Sequence, residues 1–292
     1  MSWLEDNAAL IPIAKSCLFF IGGAPRSGTT WLQHLLDAHP DVCCKGEGHF
    51  LNHLIEPLGT LMARRRDALE EKNRAVFGET EGYPPPRAED FEALAGTAIL
   101  QALASQCDGV TYAAIGEKSP ENVFYFANLK RMFPAAKFIG IAREPRDSVT
   151  SAWHFFAGAR PGGTEEDAIL DYVRRALPAI DKGARAMLAY RERYPDDCMI
   201  VTYEEMSRDP ARIAAGLFRF LGVADLPEVV ADCVARTGFA VMSGGRRRGA
   251  EQRGSFFRAG VVGDWRATLT PPAVEAVLNE LGWMYPVFGW DV

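Results

Sequence analysis

The stretch that decides the fold runs Cys17-Leu-Phe-Phe-Ile-Gly-Gly-Ala-Pro-Arg-Ser-Gly-Thr-Thr-Trp31. Cys17 to Ile21 is a short apolar run closed by Gly22-Gly23, the pattern of a buried strand. A helix starts near Ser27, with Trp31, Leu32, Leu35 and Leu36 on one face and Pro40 just past its end. Between them, Gly23-Ala-Pro-Arg26-Ser27-Gly28-Thr29-Thr30 makes a glycine-containing turn. Backbone N–H groups and a helix N-terminus converge at such a turn and cradle an anion. The bland alternative is a tight turn with a capped helix.

The spacing matches the nucleoside-triphosphate phosphate loop up to its second glycine, but Thr29 stands where that loop has its lysine. The cation comes earlier, at Arg26. The strand expected at Lys137 to Ala142 ends in Arg143 and not in an acid that could help to hold magnesium. The loop therefore suits a phosphate or sulfate dianion without a metal.

Outward from this loop, strands and helices alternate. Thr111 to Ile115 predicts a second strand, and Ser119-Pro120-Glu121 opens a helix with Ser as N-cap and Pro in the first turn. Lys137 to Ala142 is the third strand. Pro145 begins a helix with Val149, Ala152, Trp153 and Phe156 at helical spacing, which places Trp153 and Phe156 in the core. A long helix covers about Glu165 to Arg193. Cys198 to Tyr203 is a fourth strand, and Asp209-Pro210 caps a helix bearing Ile213, Leu217, Phe220 and Leu221. This alternation predicts an α/β fold: a central parallel sheet flanked by helices. Ligands of such folds bind at the carboxyl ends of the strands.

The chain has 292 residues, 48% hydrophobic and 24% charged, which supplies ample core. It shows no linker, charge block or internal repeat, so residues 1–292 read as a single domain, with Gly78 to Pro86 as a loop-rich excursion. The formal net charge of -6 argues against a broad nucleic-acid surface. The local basic runs Arg64-Arg65-Arg66 and Arg246-Arg247-Arg248 read as solvated faces or loops. Against an acidic background a positive pocket would still stand out to an anion. No run approaches the ~20 apolar residues of a membrane span, and the N-terminus does not read as a signal peptide. The six cysteines, with Cys43 and Cys44 adjacent and no C-x-x-C spacing, read as reduced thiols in a cytoplasmic protein. No His/Cys cluster suggests a metal.

Ala24-Pro-Arg-Ser-Gly-Thr-Thr-Trp31 resembles the 5′-phosphosulfate loop of sulfotransferases that use 3′-phosphoadenosine 5′-phosphosulfate (PAPS). The cytosolic branch has Lys where Arg26 stands; the tyrosylprotein branch has Arg. Arg143-Glu-Pro-Arg-Asp-Ser-Val-Thr-Ser151 looks like the family's 3′-phosphate motif, in which an Arg and a hydroxyl clamp one phosphate. Phe257-Arg258-Ala-Gly260-Val-Val-Gly-Asp264-Trp265 resembles the segment that closes over the nucleotide, with Ala259 in place of the family Lys. Tyr203 matches a nucleotide-contacting Tyr. The resemblance covers about Phe20 to Arg266. It implies that Arg26, Ser27, Gly28, Thr29 and Thr30 hold the 5′-phosphosulfate, that Trp31 lies near the adenine, and that Arg143, Ser151, Tyr203, Arg258 and Gly260 complete the nucleotide site. The implied architecture is the P-loop-hydrolase-like sulfotransferase fold, with a nucleotide core over about 16–160 and 195–266 and acceptor-site segments over about 49–89 and 158–164.

Sulfuryl transfer needs a base for the acceptor proton and cations for the charge on the leaving oxygen. The segment Glu117-Lys118-Ser119-Pro120 lacks the His of the cytosolic branch. Glu47, in Lys45-Gly46-Glu47, falls on the catalytic Glu of the tyrosylprotein branch, with His49 as the alternative base. Lys118 matches a family Lys beside the transferred group. The resemblance thus implies a PAPS-dependent enzyme with Glu47, Arg26 and Lys118 as catalytic residues. The acceptor would be a small-molecule, glycan or peptide hydroxyl, and a homodimer stays open. A kinase of the phosphate-loop class and an inactive nucleotide-binding protein are the competing readings.

Overall fold

The computed structural model describes residues 7–78, 82–157, 164–252, 255 and 257–292. Residues 79–81 and 158–163, part of the expected acceptor segments, lie outside the described residues. Five strands form one sheet in the order β2-β3-β1-β4-β5, with β1 Cys17–Gly23, β2 Val42–Cys43, β3 Ala114–Lys118, β4 Lys137–Ala142 and β5 Cys198–Thr202. Every pairing is parallel. Parallel strands need crossovers, and crossovers cover both faces with helices.

The helices that position the site are α1 Thr29–Asp37, α2 Ala88–Cys107, α3 Pro145–Ala152, α4 Glu165–Arg193, α5 Pro210–Leu221 and α6 Pro271–Leu281. One face of the sheet packs Phe19, Ile21, Ile139 and Ile141 against Leu32, Leu35 and Leu36 of α1 and Ile213, Leu217 and Leu221 of α5. The other packs Phe20, Ile115 and Phe138 against Ile99 and Leu103 of α2 and Met187 and Tyr190 of α4. A third cluster joins α4 to α6 through Val173, Leu177, Val277 and Leu281. This is the α/β domain expected from the alternation.

Strand register sets the site. Ile21 lies opposite Lys118 and Gly23 lies opposite Ile141, so the carboxyl ends of β3, β1 and β4 are level. The second strand is Ala114–Lys118 and not Thr111 to Ile115. Its polar tail hid it from a hydrophobicity reading, because Glu117 and Lys118 are buried with dedicated polar partners. Ser119 precedes a 3-10 turn, Pro120–Phe124, before a short helix at Phe126–Met132, and its hydroxyl donates to Glu117 (2.5 Å) in place of capping that turn. Tyr203 starts a helix just after β5, where Thr202 forms the capping box with Glu205.

Phe156 is not core. Beyond α3 the backbone widens into a π-helical turn at Trp153–Ala157. One extra residue per turn shifts the helical phase. Trp153 stays buried, while Phe155 and Phe156 are turned out, 40% and 60% exposed.

Candidate active site

The turn after β1 is shaped for a close ligand. Arg26 and Gly28 both take left-handed backbone, at φ 68° and 101°. For Gly28 the conformation and the space agree, since a Cβ there would stand 2.7 Å from the Tyr203 ring. Gly28 is also the N-cap of α1 and offers no capping side chain, so the helix N-terminus opens without a competing carboxylate or hydroxyl of its own. Thr29, at the position of the phosphate-loop lysine, is buried.

Cations gather around this turn. The Arg26 guanidinium donates from Nε to Ser151 Oγ (3.3 Å) and stacks over Phe155 at 4.3 Å. Burial, then the neighbouring charges of Arg143 and Arg258, lower its pKa to about 10. Arg143 and Arg258 therefore each repel the Arg26 guanidinium. Arg143 lies 4.2 Å over the Tyr203 ring and donates to the carbonyls of Arg26 (3.4 Å) and Val261 (3.1 Å). Arg258 is paired with Glu251 (3.0 Å) and with Asp264. Nε of Arg143 and Nε of Arg258 are buried without a hydrogen-bond partner. Unsatisfied buried donors on repelling cations are what a bound polyanion would relieve.

The sequence pairing of Arg143 with Ser151 is realised differently. Both line one cavity, but the Ser151 hydroxyl is held by Arg26. Opposite them, Trp31 donates from its indole to Thr237 O (3.0 Å) and meets the Tyr203 ring edge-on at 5.5 Å. Gly260, at φ 68°, lets the chain run against Phe239, where a Cβ would stand 2.3 Å from that ring. Ala259 is buried.

On the β3 side, the Lys118 ammonium is buried and donates to Thr30 Oγ1 (3.0 Å) and to Glu47 Oε1. The other Glu47 oxygen stands 3.2 Å from His49 Nε2, whose Nδ1 is 3.7 Å from Glu121. Lys118 thus bridges the phosphate loop and the candidate base. Glu47 lines the cavity, and His49 sits between the two carboxylates.

Arg26, Thr30, Trp31, Glu47, Arg143, Ser151, Tyr203 and Arg258 border a cavity of about 550 Å³, with Lys118 reaching its edge through Thr30 and Glu47. That lies within the ~300–1,000 Å³ usual for small-ligand sites. Two sets of lining residues were not legible as site residues. Arg248, from a run read as solvated, stands 5.2 Å over Trp31. Val123, Phe124, Phe155 and Phe156 give the cavity an apolar lining, with Gly183 of α4 packed against Val123 and Phe124 and Ala179 also lining it. The aromatic pair Phe155-Phe156 was the only sequence signal, and the π-turn that exposes it has none. Among the described residues, no group of three or more His, Cys, Asp or Glu could hold a metal, and no helix is long and apolar enough to cross a membrane.

A family model described as the sulfotransferase family matches residues 19–228. The chain is 27% identical over 208 residues to protein-tyrosine sulfotransferase 1 of Danio rerio, covering 70% of this chain and 53% of that protein. It is 26% identical over 204 residues to a putative protein-tyrosine sulfotransferase of Caenorhabditis briggsae, covering 70% and 65%. The chain spans about half the length of the curated relatives it matches. Among solved structures, a mouse sulfotransferase complexed with PAP superposes with a TM-score of 0.55 at 17% identity, over 96% of this chain and 90% of that one. A Mycobacterium avium sulfotransferase gives 0.56 at 17% identity, over 99% and 81%.

Proposed function

Because the chain belongs to the sulfotransferase family, we propose that it transfers the sulfuryl group of PAPS to an acceptor hydroxyl, leaving adenosine 3′,5′-bisphosphate. The observation that carries this reading is one cavity in which Arg26, Arg143 and Arg258 face an open helix N-terminus, with the Lys118–Glu47 pair beside it. Orphaned donors on Arg143 and Arg258 fit one anionic group, and Arg26 with the open helix N-terminus fits a second.

Bound there, PAPS supplies an activated sulfuryl group. The amides of the 23–30 turn and Arg26 hold its phosphosulfate end. Arg143 and Arg258 hold the 3′-phosphate, and Trp31 and Tyr203 take the adenine, with Arg248 as a further cation on that side in place of the one missing at Ala259. Glu47 accepts the proton of the acceptor hydroxyl as its oxygen bonds to sulfur. Lys118 and Arg26 place positive charge where the departing oxygen becomes anionic. His49 orients Glu47 from behind. The acceptor we propose is an uncharged, apolar hydroxyl compound such as a simple phenol. Its support is the apolar lining of Val123, Phe124, Phe155 and Phe156 in the cavity that also holds Glu47 and Glu121, which offers burial to apolar groups and little to a charged chain. A reducing compartment such as the cytoplasm is the setting proposed, supported by six free cysteines.

Calorimetry and a labelled-sulfate assay test these statements separately. Adenosine 3′,5′-bisphosphate should bind at least tenfold more tightly than adenosine 5′-monophosphate; equal affinities would remove the 3′-phosphate assignment. With labelled PAPS, a simple phenol should be sulfated faster than an oligosaccharide or a tyrosyl peptide. Preference for either of the latter would overturn the acceptor class and leave the transfer reaction standing.

A further inference from the structure

Glu47 sits on backbone that has no regular structure of its own. It lies between Gly46, at φ 144°, and His49, at φ 47°. Left-handed positions next to a reactive side chain persist only when surrounding contacts hold them. The contacts here come from the end of β3 and the turn that follows. On the near side of Glu47, Lys118 N donates to Gly46 O (3.1 Å). On the far side, Gly48 N donates to Glu117 Oε1 (2.7 Å), and His49 N donates to Ser119 Oγ (3.3 Å). The Ser119 hydroxyl in turn donates to the same Glu117 oxygen (2.5 Å). Asn122 Nδ2 donates to Glu117 Oε2 (2.7 Å) and to Ile21 O (2.9 Å). The Glu117 carboxylate therefore ties the two amides after the candidate base to β1 and to the 3-10 turn.

Glu117 is 3% exposed. A carboxylate in such a place is costly unless its oxygens are filled, and here three donors fill them. Burial pushes its pKa up, while the bonds from Asn122, Ser119 and Gly48 oppose that. A core position filled by an apolar residue would carry no such cost. Alternation along β3 places Glu117 and Lys118 on opposite faces of the strand. One strand end thus supplies both the cation that touches Glu47 and the anion that fixes the backbone bearing it.

We propose that Glu117, with Ser119 and Asn122, is a positioning residue of the sulfuryl-transfer reaction: it holds the Gly48 and His49 amides and so sets where the Glu47 carboxylate stands. The inference rests on Glu47 acting as the base. Misplacing a reacting group by about 1 Å costs roughly 10²-fold in rate.

The test is a double-mutant cycle on the full chain, using labelled PAPS and the best phenol of the acceptor panel, with nucleotide affinity by calorimetry as the independent arm. Glu117→Ala should lower kcat by roughly 10–100-fold and leave the affinity for adenosine 3′,5′-bisphosphate within about threefold. Glu117→Gln keeps an oxygen for Gly48 and Ser119 but turns an amide NH2 toward Asn122 Nδ2, and should recover part of the loss. In a Glu47→Gln background, Glu117→Ala should add little further loss, because groups that act through one another are not additive. Hydrogen exchange over residues 46–49 should quicken in Glu117→Ala. A full multiplicative loss in the Glu47→Gln background would overturn the proposal, as would an unchanged kcat. If Glu117→Ala does not fold, Ser119→Ala takes its place in the cycle. It releases only the His49 amide, so the expected loss is about threefold to tenfold in kcat, again absent when Glu47 is Gln. No change in kcat for that variant would overturn the proposal equally. Failure of bisphosphate binding in the unmodified protein would instead sink the sulfotransferase reading itself.

Discussion

The two halves of the cavity are built in opposite ways. The side proposed for the nucleotide is made of short contiguous segments: Gly23 to Trp31 after β1, Arg143 to Ser151 after β4, Tyr203 after β5 and Arg258 to Gly260. Backbone amides and guanidinium groups are what this side offers a ligand, and Gly28 and Gly260 sit where chain and ring approach closely. The side proposed for the acceptor is made of side chains from elements far apart: Phe124 on the 3-10 turn, Phe155 and Phe156 on the π-turn, and Ala179 and Gly183 on α4. A polyanion can be recognised by a local pattern of charge and backbone. An apolar acceptor is recognised by a shape, and shape is assembled by packing.

The sharpest way to break this division is to change Glu47, which stands at its boundary. Glu47→Gln is close to isosteric and deletes the proposed base. Turnover should fall by roughly 10²–10⁴-fold with bisphosphate affinity within a few-fold. His49→Gln should be mild by comparison. An active Glu47→Gln enzyme beside an inactive His49→Gln would exchange the two assignments.

Arg143→Ala probes the nucleotide side alone. Arg143 carries an orphaned Nε and adds to the repulsion on Arg26. Removing it should weaken adenosine 3′,5′-bisphosphate by roughly 10–100-fold and adenosine 5′-monophosphate much less. An equal loss for both nucleotides would move Arg143 away from the 3′-phosphate.

The smallest effect belongs to the acceptor wall. Phe156→Ala removes an aromatic face that is 60% exposed before any acceptor covers it. Partial burial of a Phe is worth about 1 kcal/mol. KM for a phenol should therefore rise roughly fivefold, with kcat and bisphosphate affinity nearly unchanged. A matching loss of nucleotide affinity would show that the two halves are not separable.

The sequence by itself determined the strand–turn–helix around Arg26, the parallel α/β plan, the family resemblance and the residues proposed for the nucleotide. Each rests on a local signal: an apolar run of strand length, a glycine at a turn, a cation at a strand end. Only the tertiary structure decided the rest. Glu117 and Lys118 fall outside the strand expected at Thr111 to Ile115, because a strand that buries charge looks like no strand until its partners at Gly48, Asn122, Thr30 and Glu47 are in place. Phe156 reads as core at helical spacing, and one π-turn reverses it. Arg248 reads as a solvated cation and comes to rest over Trp31. For Glu117, Lys118 and Arg248 the deciding contact joins residues distant in the chain. No local pattern encodes such a contact, so it is fixed only when β3, α3 and the segment around Arg248 pack around the end of β1.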